Sequence, residues 1–187
     1  MTVQVKGAVL LSRKALVCKE YGDDAWERVL ATLPEESRKQ FRGLVLSASW
    51  YPFALNEEID RAIVDVVGGG DLNIFRKIGV KSAQENLRGP HKAFLTPGEP
   101  MKFLEQSDRI YRFYYDVGYR EFEATGSNSG VITTWEAETF SETDCLTVIG
   151  WYEEALKMCG AKRVVMTEEA CRARGDTNCR YRVSFQM

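Results

Sequence analysis

Tyr119-Arg120-Glu121-Phe122-Glu123-Ala124-Thr125-Gly126-Ser127-Asn128-Ser129-Gly130-Val131-Ile132-Thr133-Thr134-Trp135 is where the chain changes character. Before it, apolar residues recur at helical spacing. From Gly118 onward the pattern is short and alternating, and the run from Thr125 to Gly130 supplies turn residues. Two antiparallel strands around a glycine-containing loop are predicted.

Downstream, Ser141-Glu142-Thr143-Asp144 has the spacing of a capping box and opens a helix that runs to Cys159 and is stopped by Gly160. Its buried stripe is Cys145, Val148, Ile149, Tyr152, Leu156 and Cys159. Residues 163–173 and 179–185 alternate as strands do, with Arg174-Gly175-Asp176-Thr177-Asn178 as their turn.

Upstream, Ala8-Val9-Leu10-Leu11 leads into a helical pattern of Leu16, Val17, Tyr21, Trp26, Val29, Leu30 and Leu33, ended by Pro34. Asn56 reads as the cap of a helix built on Ile59, Ile63, Val64 and Val67 and stopped at Gly68-Gly69-Gly70. A helix over 71–88 uses Leu72, Ile74, Phe75 and Ile78 and breaks at Gly89-Pro90. Pro97, Gly98 and Pro100 introduce another over 101–115, with Phe103, Leu104, Ile110, Tyr111, Tyr114 and Tyr115 on a broad apolar face. Helices followed by an antiparallel sheet give an α+β fold, N-terminal helices packed on a C-terminal sheet. No repeat or linker composition interrupts it, so the reading is one domain over 1–187, mainly helical over 1–117 and hairpin, helix, hairpin over 118–187.

The chain has 187 residues, enough for a sizeable core, and its 44% hydrophobic and 28% charged residues are globular values. Twenty-five basic and 27 acidic residues are mixed along the length, which leaves no electrostatic footprint for nucleic acid. No apolar stretch approaches the roughly 20 residues of a membrane span. The N-terminal residues lack the order of a secretion signal, so a cytoplasmic location is expected. Five cysteines in a reducing compartment are then read for metals or packing.

Cys171 and Cys179 flank the last turn with Gly175 midway, which brings them opposite or nearly so. Glu168 precedes Cys171 by three residues, and Cys145 sits in the first turn of the preceding helix, where a thiolate is favoured. Three thiolates and a carboxylate would close a tetrahedral zinc shell. Cys159 cannot join that shell, because fourteen helical residues place it about 21 Å from Cys145. Packed core thiols and a cross-strand Cys171–Cys179 disulfide are the competing readings of the same spacing.

Cys145, the Glu168-x-x-Cys171 pair and Cys179 after the glycine-containing turn, together with Gly150 and Gly160, resemble the 4-vinyl reductase domain family. The match is to the sensor domains of phenol- and xylene-responsive activators, and the whole chain resembles a stand-alone bacterial paralogous family. The resemblance implies structural zinc on Cys145, Glu168, Cys171 and Cys179. It also implies a fold of the nitric-oxide-signalling and vesicle-tethering type, a hydrophobic pocket between helices and sheet, and a homodimer. No nucleotide loop or helix-turn-helix accompanies it, so output would pass to a separate downstream protein.

Tyr111, Tyr114, Tyr115, Phe122 and Trp135 form the densest aromatic region and are the candidate lining of a pocket for a small hydrophobic or aromatic ligand. The same group also reads simply as core. His91 is the only histidine and the sole candidate for a haem ligand or a general base, with a surface or capping role as the plainer reading. No nucleophile motif sits near it, so catalysis is not expected. The expectation is a non-enzymatic, zinc-clamped sensor of a small hydrophobic ligand. An adaptor with its pocket filled by its own aromatic side chains is the alternative, and a haem gas sensor through His91 the weaker one.

Overall fold

The computed structural model describes residues 2–89 and 91–187. The chain enters on β1 (Gln4–Lys6), which pairs antiparallel with β2 (Trp50–Pro52), Val5 opposite Tyr51. Between them run α1 (Gly7–Tyr21), α2 (Asp23–Ala31) and α3 (Glu35–Arg42). The single helical pattern expected up to Pro34 is thus two helices, because Gly22 takes φ +88° and turns the chain.

Next come α4 (Phe53–Ile63), which continues as a π-helical turn over Val64–Gly68, and α5 (Ile74–Arg88). Because α4 starts at Phe53, Asn56 is no cap; it is buried in the helix with Nδ2 3.3 Å from Asp60 Oδ2. The glycine stop is real, with Gly69 at φ +58°. Pro90, expected to break α5, lies outside the described residues, and α5 ends at Arg88. The helix expected over 101–115 is two short ones, α6 (Pro100–Glu105) and α7 (Ser107–Tyr114), joined at Gln106.

The rest follows the sequence pattern closely. β3 (Tyr119–Gly126) and β4 (Ser129–Trp135) form the hairpin, α8 (Glu142–Met158) follows, and β5 (Lys162–Ala170) and β6 (Cys179–Gln186) close an antiparallel sheet of order β3-β4-β6-β5. Ser141 caps α8, its Oγ accepting from Asp144 N at 3.1 Å. Helices packed with a C-terminal antiparallel sheet make this an α+β fold.

Helix α8 packs against α5 on one side and β5 on another. The α5–α8 crossing is backbone on backbone: a Cβ at Gly79 would stand 2.0 Å from Thr147 O, and one at Gly150 2.0 Å from Arg76 O. This approach carries the aromatic face of α8, Trp151 and Tyr152, against Phe103 of α6 and Tyr114 of α7. No helix among the described residues is long and apolar enough to cross a membrane.

Candidate functional site

Helices α1, α5, α7 and α8 and strand β3 meet around a cavity of about 40 Å³. Its walls include Ile110, Tyr111, Tyr114 and Tyr115 from the α7 end, Val148, Trp151 and Tyr152 from α8, and Arg120 from β3. Val9, Ser12 and Arg13 of α1, Ser82 of α5 and Thr147 complete it, and every one of these residues is buried. A water needs about 10–15 Å³ of such space, whereas pockets for drug-sized ligands run to about 300–1,000 Å³. The cavity therefore admits a few heavy atoms and no aromatic molecule.

Beside it lies a buried charge network. Arg13 is fully buried and forks onto Asp60, with Nε 3.0 Å from Oδ1 and Nη2 3.1 Å from Oδ2. Thr143 Oγ1 and Asn56 Nδ2 also donate to Asp60, at 2.8 and 3.3 Å. Asp144 stands 3.7 Å from Arg13 Nη2, and the Tyr115 hydroxyl donates between its two oxygens at 3.0 and 2.9 Å. Burial pushes the Asp144 carboxyl up to about 6, against the pull of Arg13 and the hydrogen bonds from Tyr115. Burial likewise drives the Tyr114 and Tyr115 phenols up, Tyr115 further by the Asp144 charge.

His91 stands behind one cavity wall. It is buried, its Nδ1 lies 2.6 Å from Tyr114 Oη, and its ring centroid sits 4.6 Å from that of Phe113 and 6.4 Å from that of Phe94. Burial lowers its pKa, which keeps the imidazole neutral.

A second constellation forms at the start of α8. Cys145, Cys171 and Cys179 are buried free thiols whose Sγ atoms all lie within 4.8 Å of one another, with Cys145 3.7 Å from each of the other two. The Arg172 N–H donates to Cys179 Sγ at 3.4 Å. A hydrogen bond from the Cys145 thiol lowers Cys171, and lowers Cys179 to about 7, while Cys145, as the shared donor, is driven up. The Cys171–Cys179 disulfide reading is not realised. Glu168, the fourth ligand expected from the sequence, is not brought into this group: its Oε2 is 2.7 Å from Arg174 Nη2, and its Oε1 is buried with no hydrogen-bond partner. Cys159 is fully buried in the core, as its distance along α8 requires.

Three of the five aromatic residues expected at the pocket, Tyr111, Tyr114 and Tyr115, do line the cavity; Phe122 and Trp135 do not. Trp135 pairs with Tyr119 and donates from Nε1 to Glu121 at 2.7 Å, on the exposed side of the sheet. Phe122 lies further along β3 toward the turn, beside Gly130. The residues that sequence reasoning missed are Arg13, Asp60, Asp144 and Arg120. Arg13 could have been found, as a charge inside the apolar run Val9, Leu10, Leu16, Val17 of α1.

The α+β chain thus holds a small, mainly apolar cavity with a few polar groups between its helices and sheet. No protein-family model matches the chain and no curated protein matches it. Solved structures do. An H-NOX protein from S. oneidensis in its Fe(II)NO ligation state superposes with a TM-score of 0.72 at 13% identity, covering 97% of this chain and 99% of that one. The Fe(II) unliganded H-NOX protein from K. algicida gives 0.71 at 11%, covering 97% of both chains. A structure described as probing haem distortion in the H-NOX family gives 0.70 at 12%, over 97% and 95%. The fold is that of these H-NOX structures.

These matches overturn three expectations. The resemblance to 4-vinyl reductase domains gives way, because the structures that match nearly the whole chain are H-NOX proteins. Zinc as the cofactor, and the zinc-clamped sensor of a hydrophobic ligand built on it, go with that resemblance. The neighbours' descriptions name iron, nitric oxide and haem, the group that the sequence reading ranks last.

Haem can be tested against the residues here. The cavity offers about 40 Å³, and Tyr114, Tyr115, Trp151 and Tyr152 fill the space around it. His91, the one imidazole of the chain, does not line it, and Tyr114 stands between. As packed, these residues do not fit a haem.

Proposed function

We propose that this chain is a sensor domain that takes a gas-sized ligand, a few heavy atoms, in the cavity between α1, α5, α7, α8 and β3. The observation that carries the reading is a cavity of about 40 Å³ whose walls are all buried yet hold two guanidinium groups, Arg13 and Arg120, and the hydroxyls of Tyr114, Tyr115 and Tyr152. A small apolar space with a few converging polar groups of perturbed pKa is the usual mark of a binding site. The fold supports it, since a neighbour over almost the whole chain was solved with nitric oxide bound. The role in this reading is binding and signalling. Occupancy would be passed to a separate cytoplasmic protein, with the chain acting as a homodimer; sedimentation of the purified protein tests the dimer.

A second reading, haem-based gas sensing, is favoured by one contact: His91 is neutral, and its Nδ1 is tied to Tyr114, whose side chain forms the cavity wall. Bonding at Nδ1 leaves Nε2 as the nitrogen that an iron would use. This reading requires Tyr114 to leave its place. Haemin titration decides between the two. A Soret band in the native protein and none in His91→Ala puts the sensor in the haem class. No band, together with a rise in Tm under nitric oxide, xenon or another ligand of a few heavy atoms, supports direct binding, and no response to any of them removes the sensor reading.

We also propose that Cys145, Cys171 and Cys179 form a three-thiol site for a thiophilic metal ion between α8 and the final hairpin. Tetrahedral metal–sulfur bonds of about 2.3 Å set sulfur atoms about 3.8 Å apart. The two 3.7 Å separations from Cys145 already have that value. Elemental analysis of protein purified without added metal tests it; a natively folded, metal-free protein would end the assignment.

A further inference from the structure

Two arginines are buried among the described residues, and they are treated differently. Arg13 has carboxylates on it, Asp60 in a fork and Asp144 at 3.7 Å. Arg120 has none: among the described residues no carboxylate lies within ion-pair distance of its guanidinium. It points inward from β3 opposite Thr134, donates from Nε to Thr134 Oγ1 at 2.9 Å and from Nη1 to Tyr152 Oη at 3.4 Å, and lies over the rings of Tyr111 and Tyr152 at 4.9 and 5.5 Å. Its Nη2 donates to no acceptor among the described residues.

A guanidinium cannot shed its proton, so a buried one without an anion carries a desolvation cost that ring faces offset only in part. Its neighbour is incomplete in the matching sense. Tyr152 Oη accepts from Arg120, and the Tyr152 proton has no acceptor among the described residues. Tyr111 and Tyr115, by contrast, spend theirs on Val117 O and Asp144. Both incomplete groups line the 40 Å³ cavity, and the two carboxylates of the network do not.

We propose that the ligand of this cavity is a small monovalent anion of the size of formate or nitrite, held by the free edge of Arg120 and the hydroxyl of Tyr152. The inference rests on the reading of the cavity as the ligand site and adds the charge of the ligand. An anion of three heavy atoms supplies the acceptors both groups lack, and charge-assisted bonds of this kind are the stronger class.

The test is thermal melting and calorimetric titration of the full chain with sodium formate and sodium nitrite at fixed ionic strength. Formamide and xenon serve as neutral probes of matching size. The expected result is a rise in Tm with the anions alone, and binding weakened at least about tenfold in Arg120→Gln. Should Arg120→Gln fail to fold, Tyr152→Phe removes one donor in place and is expected to weaken the anion about tenfold, with a free protein that still folds at a lowered Tm because Arg120 Nη1 loses its acceptor. Anions that bind both variants as tightly as the native chain overturn the proposal. Binding of xenon or formamide without the anions overturns it while leaving the sensor reading intact, and no response to any probe removes both.

Discussion

Arg120 and Cys179 stand in one cross-strand row of the sheet, with Thr134 alone between them. Residues directly opposite on antiparallel strands share a face, so the row carries the cavity's unpaired guanidinium at one end and a thiol of the cysteine cluster at the other. Asp144 and Cys145 repeat the adjacency on α8, one joined to Arg13 and Tyr115, the other to Cys171 and Cys179. Cavity and cluster are therefore separated by one residue in the sheet, and the charge network and cluster by none along α8.

The buried His91 makes stability depend on acid. In the unfolded chain its imidazole takes up a proton below about pH 6.5, whereas burial holds the folded pKa lower. Its contribution is thus present above about pH 6.5 and is lost as pH falls below that value. Asp144, raised to about 6 by burial, acts in the opposite sense, stabilising the fold as pH falls through that value, so the difference carries the prediction: between about pH 7.5 and 5 the native Tm should fall relative to that of His91→Gln. Equal slopes in the two proteins would rule this group out as the cause.

The α5–α8 crossing tolerates no side chain at its two glycines. Gly79→Ala places a methyl 2.0 Å from Thr147 O and 2.7 Å from Trp151 N, all of it backbone that cannot turn aside. Overpacking of this kind costs about 3 kcal/mol, and Gly150→Ala, against Arg76 O, should cost as much. Urea unfolding of each variant measures it. Gly98→Ala is the control for a glycine at positive φ with no neighbour in the way, and it should lose only about 1 kcal/mol.

How far the sequence carried these features depends on their range. The β3–β4 hairpin, the Ser141 cap and the last two strands were legible because each is written in neighbouring residues: alternation, a capping residue, a turn. The meeting of Cys145, Cys171 and Cys179 was legible for a related reason, since two flank one turn and the third opens the preceding helix. What stayed hidden was non-local. Asp60 became the partner of Arg13, 47 residues away, only once α1 and α4 packed. The cavity's size depends on how the rings of Tyr114, Trp151 and Tyr152 interlock, and composition does not encode that. The split of the first helix at Gly22 is local, but the apolar spacing continues on both sides of it and masks the break.

Breaking the Arg13 fork should be among the most damaging single changes outside the apolar core. Arg13→Met fits the space of the aliphatic stem, but it strands Asp60 and Asp144 in a buried setting with only neutral donors. Removing one partner of a buried ion pair costs about 3–5 kcal/mol. Arg13→Met/Asp60→Leu removes one of the two stranded charges and should recover more than half of that loss. Chemical denaturation of both variants checks the order; a double variant no better than the single one would show that the fork is not the source.

Removal of metal gives the cysteine cluster its own signature, separable from simple packing. A Cys→Ser change in an unligated core exchanges one buried small group for another, and chelator treatment would leave the native chain untouched. An ion there ties α8 to the final hairpin, and its loss frees three thiols at once. Prolonged dialysis against a strong chelator should then cost about 3 kcal/mol, which for a chain of this length is roughly 6–12 °C in Tm. Cys145→Ser should already show that loss and respond no further to chelator. Because Asp144 precedes Cys145 on the helix, the same treatment should also weaken ligand binding at the cavity, whereas Ser141→Ala, which loses only the cap at about 1 kcal/mol, should leave binding as it was. A Cys145→Ser protein as stable as the native one, with unchanged response to chelator, would separate the cluster from any metal and leave it as packing.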